Sequence, residues 1–415
     1  MSIEEKKTLM PKLRFPEYQE TAGWKKFFGN ALFEQISDKN PEPGLPVLAI
    51  TQEHGAIPRD MIDYHVSVTD KSIESYKVVK TGDFIISLRS FQGGIEYSQY
   101  HGICSPAYVI LRRCIDGSDT YFKHYLKTDR FIRILTKNLE GLRDGKMISY
   151  KQFSELQIPV PAPEEQKKIA DCLSSLDELI AAQGRKVEAL KTHKKGLMQQ
   201  LFPREGETQP RLRFPEFQNA EGWSSDALGN LFDTSSGGTP DRTKGEFWNG
   251  NVPWITTSLV GSSVIMYADE FISDEGLKNS SAKVFPEKTI LMAMYGQGKT
   301  RGQVAMLGIK AATNQACAAI LPRDEIDPLF VFLNLASRYE ELRGLSNSGG
   351  QENLSQGLIQ GLQFSFPEDK AEQQRIGLCL SSLDALITAA TRELDVLKTH
   401  KKGLMQQLFP ASEAT

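Results

Sequence analysis

A long segment occurs twice in the chain almost unchanged, and this repeat most constrains what the chain can fold into. The sequence LKTHKKGLMQQLFP closes both 164–203 and 371–410, and these two segments are identical at 27 of 40 positions. A shorter match lies upstream of each copy, where PKLRFPEYQ at 11–19 pairs with PRLRFPEFQ at 210–218. The chain is therefore a tandem duplication of a short opening motif, a variable insert and a long repeated segment.

The inserts between the repeated segments barely resemble each other. Two copies of so long a unit are too few for a solenoid. A duplicated frame with diverged inserts favours one scaffold that presents two different recognition surfaces. We predict a first recognition domain at 1–162, a central repeated helix at 163–203, a second recognition domain at 204–366, and a distal repeated helix with a tail at 367–415.

Each repeated segment has the pattern of a long coiled-coil helix. A proline precedes each segment, Pro163 or Pro367, and another closes it, Pro203 or Pro410. Between these limits apolar residues alternate at spacings of four and three over about five heptads. The predicted interface residues are Ile169, Leu173, Leu176, Ile180, Leu190 and Leu197 in the first helix, and Ile376, Leu380, Leu383, Ile387, Leu397 and Leu404 in the second.

Because the two seams match, we predict that the helices pair with each other as an antiparallel two-helix coiled coil. The alternative is that each helix packs only against its own domain. Lys194 and Lys401 interrupt the two seams at the same place. They are either lysines whose stems pack while their charged ends reach solvent, or contacts to a partner subunit or a DNA phosphate.

Both inserts have mixed strand and helix patterns. The runs 77–88 and 105–113 are typical of strands, and 121–138 predicts an amphipathic helix. In the second insert, 288–296 and 303–307 favour strands and 327–344 a helix. The fold class is therefore α/β (α+β), with two mixed α/β domains, the antiparallel coiled coil and a pseudo-two-fold tandem repeat.

The composition argues against several classes of protein. No apolar run reaches about 18 residues and the first residues lack an apolar core, so we expect neither a membrane span nor a signal peptide, and a cytoplasmic location. The five cysteines are odd in number and form no CxxC pair, which argues against a disulfide framework or a structural zinc site. The six histidines have no metal-ligand spacing, so no metal site is predicted.

The sequence contains none of the catalytic motifs that such a chain could carry. The run 296–300, GQGKT, would need a further glycine where Ala293 stands to be a nucleotide loop. The Asp/Asn-Pro-Pro-Tyr/Phe motif of methyltransferases is missing, because no Pro-Pro occurs. Glu165-Gln166-Lys167 and Glu368-Asp369-Lys370 fit the short Glu-x-Lys half of a nuclease pattern, but acidic residues are expected at helix starts. We therefore predict no catalytic residue.

Several motifs resemble those of one family. GGTPDRTKGEFWNGNVPWIT at 237–256, MYGQGKTRGQVA at 294–305 and ATNQACAAI at 312–320 look like parts of a target-recognition domain of type I restriction-modification enzymes. In the first half, 82–111 and 145–177 are similar to the equivalent regions. The resemblance covers almost the whole chain, and it identifies the chain as similar to the specificity subunit of these enzymes.

The resemblance implies a sequence-specific DNA-binding subunit that is not itself an enzyme. It would read a bipartite, asymmetric site in double-stranded DNA. Its partners would be two modification subunits, which are adenine methyltransferases, and restriction subunits that act as an ATP-dependent translocase and nuclease. We expect no cofactor on this chain, with S-adenosylmethionine, ATP and Mg²⁺ bound by the partners only.

Base reading needs forked or amide side chains in loops that approach a groove, such as arginine for guanine and asparagine or glutamine for adenine. Glycine-rich loops of both inserts carry such residues. The predicted DNA-binding residues are Arg89, Ser90 and Gln92 in the first insert, and Thr239, Arg242, Gln297, Lys299 and Arg301 in the second. The alternative for each is an ordinary loop surface. Trp248 and Trp254 are assigned to the core rather than to base stacking.

The net charge of −3 argues mildly against DNA binding by charge alone, and suggests that partners supply part of the phosphate contact. A different class of function remains open from the sequence. In that alternative the chain is a coiled-coil scaffold or adaptor protein that binds no DNA.

Overall fold

The chain folds into two compact units. The computed structural model describes residues 9–62, 75–137, 148–204, 206–261, 263–296, 300–345 and 353–410. Unit 1 comprises Met1–Gly184 together with Arg392–Thr415, and unit 2 comprises Arg185–Thr391. Each of the two long helices therefore begins in one unit and ends in the other.

Unit 1 is built on a four-stranded antiparallel sheet with helices on it. Its strands are β1 (Lys25–Phe28), β2 (Phe33–Ile36), β3 (Leu48–Thr51), β4 (Gly55–Pro58), β5 (Lys77–Val79), β6 (Phe84–Ile86), β7 (Glu96–Tyr97), β8 (Gly102–Cys104), β9 (Val109–Arg113) and β10 (Gln157–Val160). The main sheet has the order β2-β9-β6-β7, and β1-β10, β3-β4 and β5-β8 form separate pairs. Its helices are Gly29–Leu32, Ser90–Gly93, Asp119–Tyr125, Asp129–Lys137, Tyr150–Ser154 and the start of the first long helix, Pro163–Leu201, with 3-10 turns at Pro16–Tyr18 and Arg59–Met61.

Phenylalanines hold this sheet to the helices. Phe33 on β2 meets Phe84, Phe122 and Phe153 edge to face, with ring centroids 5.0–5.8 Å apart. All four side chains are fully buried. Edge-to-face contacts of this kind add to the free energy gained by burying the rings.

Unit 2 contains two mixed sheets, one of five strands and one of four. Its strands are β11 (Ser224–Ala227), β12 (Thr234–Ser236), β13 (Trp248–Ile255), β14 (Val264–Ile265), β15 (Glu270–Ile272), β16 (Val284–Phe285), β17 (Ile290–Ala293), β18 (Val304–Leu307), β19 (Ala311–Thr313), β20 (Cys317–Ile320) and β21 (Gln363–Phe366). The sheet orders are β12-β20-β17-β18-β14 and β15-β13-β19-β16, and β11 pairs with β21. Its helices are Leu228–Leu231, Asp274–Lys278, Pro328–Ser337, Tyr339–Gly344, Gln356–Gln360 and the start of the second long helix, Lys370–Leu408, with 3-10 turns at Pro215–Phe217, Gly245–Phe247 and Thr257–Leu259.

The sequence predicted one helix in each insert where the structure has two. The helix predicted at 121–138 is interrupted around Thr128, whose hydroxyl accepts a hydrogen bond from the Phe131 amide and so caps a second helix. Residue 138 lies outside the described residues. The helix predicted at 327–344 is likewise interrupted at Arg338. A local capping or turn residue therefore outweighs the amphipathic period in both inserts.

A buried network ties the opening motif to the start of the long helix in unit 1. The Arg14 guanidinium donates to both carboxylate oxygens of Glu165, at 2.8 and 2.7 Å, and Trp24 Nε1 donates to the same carboxylate at 3.1 Å. Arg14 is 8% and Glu165 2% exposed. The hydrogen bond to Glu165 raises the pKa of Arg14. Unit 2 repeats the network with Arg213, Glu372 and Trp223.

The long helices pair antiparallel, as predicted. In unit 1, Lys401 Nζ contacts the Asp177 carboxylate and Gln183 Nε2 donates to Glu393 Oε2 at 2.8 Å. Residue numbers rise along one helix while they fall along the other. None of the twelve predicted interface residues is exposed. The alternative in which each helix packs only against its own domain is wrong.

The two lysines that interrupt the seams have a role that neither sequence interpretation gave. Lys194 Nζ binds both carboxylate oxygens of Asp384 at 2.6 and 2.7 Å in unit 2, as Lys401 binds Asp177 in unit 1. Each lysine is 19% exposed. The lysines are therefore partners in ion pairs between the two helices, and these pairs fix the register.

The first unit carries a buried histidine beside this ion pair. His124 Nε2 lies 3.4 Å from Ser174 Oγ, and its Nδ1 lies 3.9 Å from the Asp177 carboxylate. Burial, with Lys401 adding to it, lowers the pKa of His124 to about 4 although Asp177 opposes the shift. The corresponding position in unit 2, six residues after the helix cap, is the buried Leu333. The environment therefore favours neutral imidazole.

We expect that Glu165→Gln lowers the free energy of unfolding of unit 1 by about 3–5 kcal/mol, because Arg14 is left buried without a carboxylate. Urea unfolding followed by circular dichroism measures the loss. Glu188→Gln, which breaks an exposed pair with Lys191, is the matched control and should change nothing measurable. Equal effects of both variants would show that the network contributes little.

Acid should weaken unit 1 through His124. The stability that comes from keeping His124 neutral is complete above its unfolded pKa of about 6.5 and is lost as pH falls through 4. Between pH 7 and pH 4.5 this loss should reach about 2–3 kcal/mol. His124→Leu, which copies Leu333, should remove that part of the pH dependence in urea titrations. His193→Leu, at an exposed histidine, should keep it, and an unchanged profile in His124→Leu would contradict the assignment.

Candidate functional site

An open cleft of about 790 Å³ lies in unit 1 where Arg89 follows β6. Arg89 is exposed and lines the cleft together with Gln52, Glu96 and Tyr108. Gln92, one turn further on, is also exposed. The structure therefore presents both predicted residues, a forked cation and an amide, to solvent at the start of and within the short helix Ser90–Gly93.

Ser90 has a different place. Its side chain is 1% exposed, and its Oγ accepts a hydrogen bond from the Ser87 amide at 2.9 Å. The Ser87 hydroxyl in turn accepts from the Arg89 amide at 3.2 Å. Ser90 thus shapes the turn that carries Arg89, and its hydroxyl does not face solvent as the sequence prediction required.

Glu96 is a cleft residue that sequence reasoning missed. It is 2% exposed, and its Oε1 is bound by Lys127. Burial raises the pKa of Glu96 even though Lys127 opposes that shift. Nothing in the run IEYSQY distinguishes this glutamate, because its burial depends on the pairing of β6 with β7.

In unit 2 the loop that follows β12 carries a stacked arginine. The Arg242 guanidinium carbon lies 3.8 Å from the ring centroid of Trp248 and 5.0 Å from that of Trp254, and Arg242 also pairs with Glu270. Arg242 remains about half exposed, while Trp254 is 2% exposed. Stacking on aromatic rings orients a guanidinium without removing its hydrogen-bonding edge. The two tryptophan rings therefore orient the forked guanidinium of Arg242 at the protein surface.

Thr239 lies on the same loop beside an amide. Its hydroxyl donates to Gln315 Oε1, and Gln315 is exposed. Gln315 belongs to the ATNQAC run that the sequence analysis quoted but did not select. The loop runs close to the sheet, because a Cβ on Gly237 would lie 1.9 Å from the Thr313 carbonyl oxygen. Glycine is therefore required where the loop begins.

Of the three remaining predicted DNA-binding residues, the structure describes only Arg301. Arg301 is half-buried and its Nη2 donates to the Arg343 carbonyl at 2.9 Å, so it braces the helix Tyr339–Gly344. Gln297 and Lys299 lie outside the described residues, and their role stays a prediction.

In the first repeat, the glutamate of the Glu-x-Lys pattern has a structural role. Both carboxylate oxygens of Glu165 bind Arg14, as described above. Within the described residues, no group of three histidine, cysteine or acidic side chains could hold a metal ion. Over the same part of the chain, no helix is both long and apolar enough to span a bilayer.

Comparison with known proteins identifies the family. The sequence profile described as the type I restriction modification DNA specificity domain matches residues 29–192 and again residues 220–399. These matches cover well over half of the chain, and the chain therefore belongs to this family. It carries two copies of the domain, one in each half of the tandem repeat.

Two relatives match over most of their length. The specificity subunit of the type I restriction enzyme EcoR124I/EcoR124II from Escherichia coli is 26% identical over 306 residues, which are 70% of this chain and 70% of that protein. The specificity subunit of the type I restriction enzyme MjaVIII from Methanocaldococcus jannaschii is 26% identical over 356 residues, 83% of this chain and 81% of the relative. These matches favour the DNA-specificity interpretation over the scaffold alternative.

Solved structures share the fold. The S subunit of a type I restriction-modification system from M. genitalium aligns with a TM-score of 0.57 at 18% identity, over 98% of this chain and 100% of that one. A chain solved in work on complex assembly and conformational transition of the type I R-M system aligns with a TM-score of 0.60 at 16% identity, over 97% and 100%. At these identities the likeness establishes the fold alone.

We expect that Gly237→Ala displaces the loop that carries Thr239 and Arg242. Its Cβ would overlap a backbone carbonyl, so unit 2 should lose about 1–3 kcal/mol of unfolding free energy, as in other overpacked sites. Gly245→Ala is the matched control on the same loop, because a Cβ there meets nothing within 4 Å. Urea unfolding of both variants decides the question, and equal stabilities would contradict the close approach.

Proposed function

We propose that this chain reads a bipartite, asymmetric site in double-stranded DNA for a type I restriction-modification complex, with one half-site read by each insert. The double match to the DNA specificity domain carries the proposal. The recognition domains would occupy 1–162 and 204–366, and the repeated helices 163–203 and 367–415. Because the inserts have diverged while the frame has not, the two half-sites should differ in sequence.

The exposed forked and amide side chains support this assignment. Arg89 can donate two hydrogen bonds to guanine, and Gln92 can pair with adenine, in the major groove. Arg242, held over Trp248, is oriented before it meets DNA, which reduces the entropy lost on binding. Thr239 and Gln315 add a hydroxyl and an amide beside it.

The chain would act as the non-catalytic part of the complex, in the cytoplasm. Its partners would be two modification subunits that bind S-adenosylmethionine and methylate adenine, and restriction subunits that use ATP and Mg²⁺ to translocate and cut DNA. The overall charge of −3 supports a division of labour in which these partners contribute phosphate contacts.

Specificity should divide between the two inserts. Arg89→Ala with Gln92→Ala should relax base preference in one half-site only, and Arg242→Ala with Lys299→Ala in the other. Each lost bidentate base contact should cost about 1–3 kcal/mol at its own base pair. Mapping methylated sites in the chain assembled with its methyltransferase subunit measures this.

A pair of variants that altered both half-sites equally would contradict the division. Reactions that lack the methyltransferase subunit are the control, and they should transfer no methyl group. The exposed pair Lys191 and Glu188, changed to Ala, tests for indirect effects through the helices and should leave both half-sites unchanged.

A further inference from the structure

A second concave site lies within unit 1 and shares no lining residue with the cleft that Arg89 lines. It is a cavity of about 500 Å³ between the helix Asp129–Lys137 and the end of the second long helix. Its lining includes Arg130, Arg133, Lys398 and Lys402, and we call it the basic cavity. Asp129 is the single acidic residue among the described residues that line it. The cavity thus has a strong excess of positive charge.

Two other cations of the lining already have partners. Lys127 binds Glu96, and Lys401 binds Asp177. Arg130 differs, because its Nε and Nη1 are shielded from solvent and have no hydrogen-bond partner in the part of the chain that the structure describes. An ionised donor removed from water without an acceptor is unfavourable. The charge of Arg130 is therefore not offset by a hydrogen-bonded acceptor at these two atoms.

The tandem repeat provides an internal comparison. Unit 2 has a cavity of about 450 Å³ lined by Met198, Gln199, Phe202 and Pro203, the same repeat positions as Met405, Gln406, Phe409 and Pro410 in the basic cavity. The facing wall in unit 2 carries Glu340 and an ion pair of Arg338 with Glu341 instead. The repeat therefore explains the shape of both cavities and supplies Lys398 and Lys402, whereas Arg130 and Arg133 come from the first insert.

We propose that the basic cavity binds a phosphate group. The Nη2 group of Arg130, which is not one of the two shielded atoms, can donate a charge-assisted hydrogen bond to a phosphate oxygen, and Lys398 and Lys402 supply additional positive charge. The phosphate belongs either to a small phosphorylated ligand or inorganic phosphate, or to a DNA backbone. None of these side chains is among the proposed base readers. A DNA-backbone phosphate would rest on the proposed function, and a free phosphate or phosphorylated ligand would go beyond it.

Inorganic phosphate titrated with the full chain tests binding directly through the linewidth of its ³¹P resonance. The wild type should broaden the line. Arg130→Gln should weaken phosphate binding by about 10- to 100-fold, the effect of losing charge-assisted hydrogen bonds, and Arg130→Lys should restore it in part. Lys402→Gln, at an exposed residue, should weaken binding in the same direction without affecting folding. Its repeat mate Lys195→Gln is the matched control and should broaden the line like the wild type.

A second arm distinguishes the sources of the phosphate. The salt dependence of binding to a short duplex of arbitrary sequence is compared between wild type and Arg130→Gln. A slope smaller by about 1 would assign a backbone phosphate to the cavity. Weaker broadening with an unchanged slope would assign a free phosphate or a phosphorylated small ligand. If the wild type neither broadens the line nor differs in slope from Arg130→Gln, the proposal is overturned, while site-specific methylation would still stand or fall separately.

Discussion

The buried Arg–Glu–Trp network is the interaction on which each half of the molecule depends. A single glutamate, Glu165 or Glu372, stands in the first turns of a long helix. It is bound by an arginine of the opening motif and by the tryptophan five residues after that motif. A buried carboxylate with one partner removed would be strongly unfavourable. The network therefore requires the opening motif and the helix to be kept together, which explains why both were retained in the duplication while the inserts diverged.

The pairing of the two long helices also depends on residues that occur in both repeats. The aspartate of the repeated CLSSLD run meets the lysine of the repeated KTHKK run, once in each unit. Since both residues recur in both helices, one short sequence supplies both ends of both ion pairs. Antiparallel pairing of two copies is the arrangement that brings these runs together. The buried His124 in unit 1 and Leu333 in unit 2 then mark where the two environments differ.

The long helices and their seam could be predicted from the sequence because a heptad pattern is a local signal, and the fold class followed from the order of strands and helices. The partners of Lys194 and Lys401 could not, because they depend on the register between helices far apart in sequence. Ser90 was predicted to contact DNA but is buried, because the sequence alone does not show which residues of a turn point into the protein. Glu96 and Gln315 gave no local signal, although the repeated arginine, tryptophan and glutamate could have revealed the buried network.

The path of the long helices also sets an order of assembly. Phe409 packs against Trp24, Tyr121 and Tyr125, so the aromatic core of unit 1 is closed by a residue that leaves the ribosome after all of unit 2. Domains usually fold as they are synthesised, from the N-terminal side. Here the domain made first is completed last, and its aromatic core lacks Phe409 throughout the synthesis of the second.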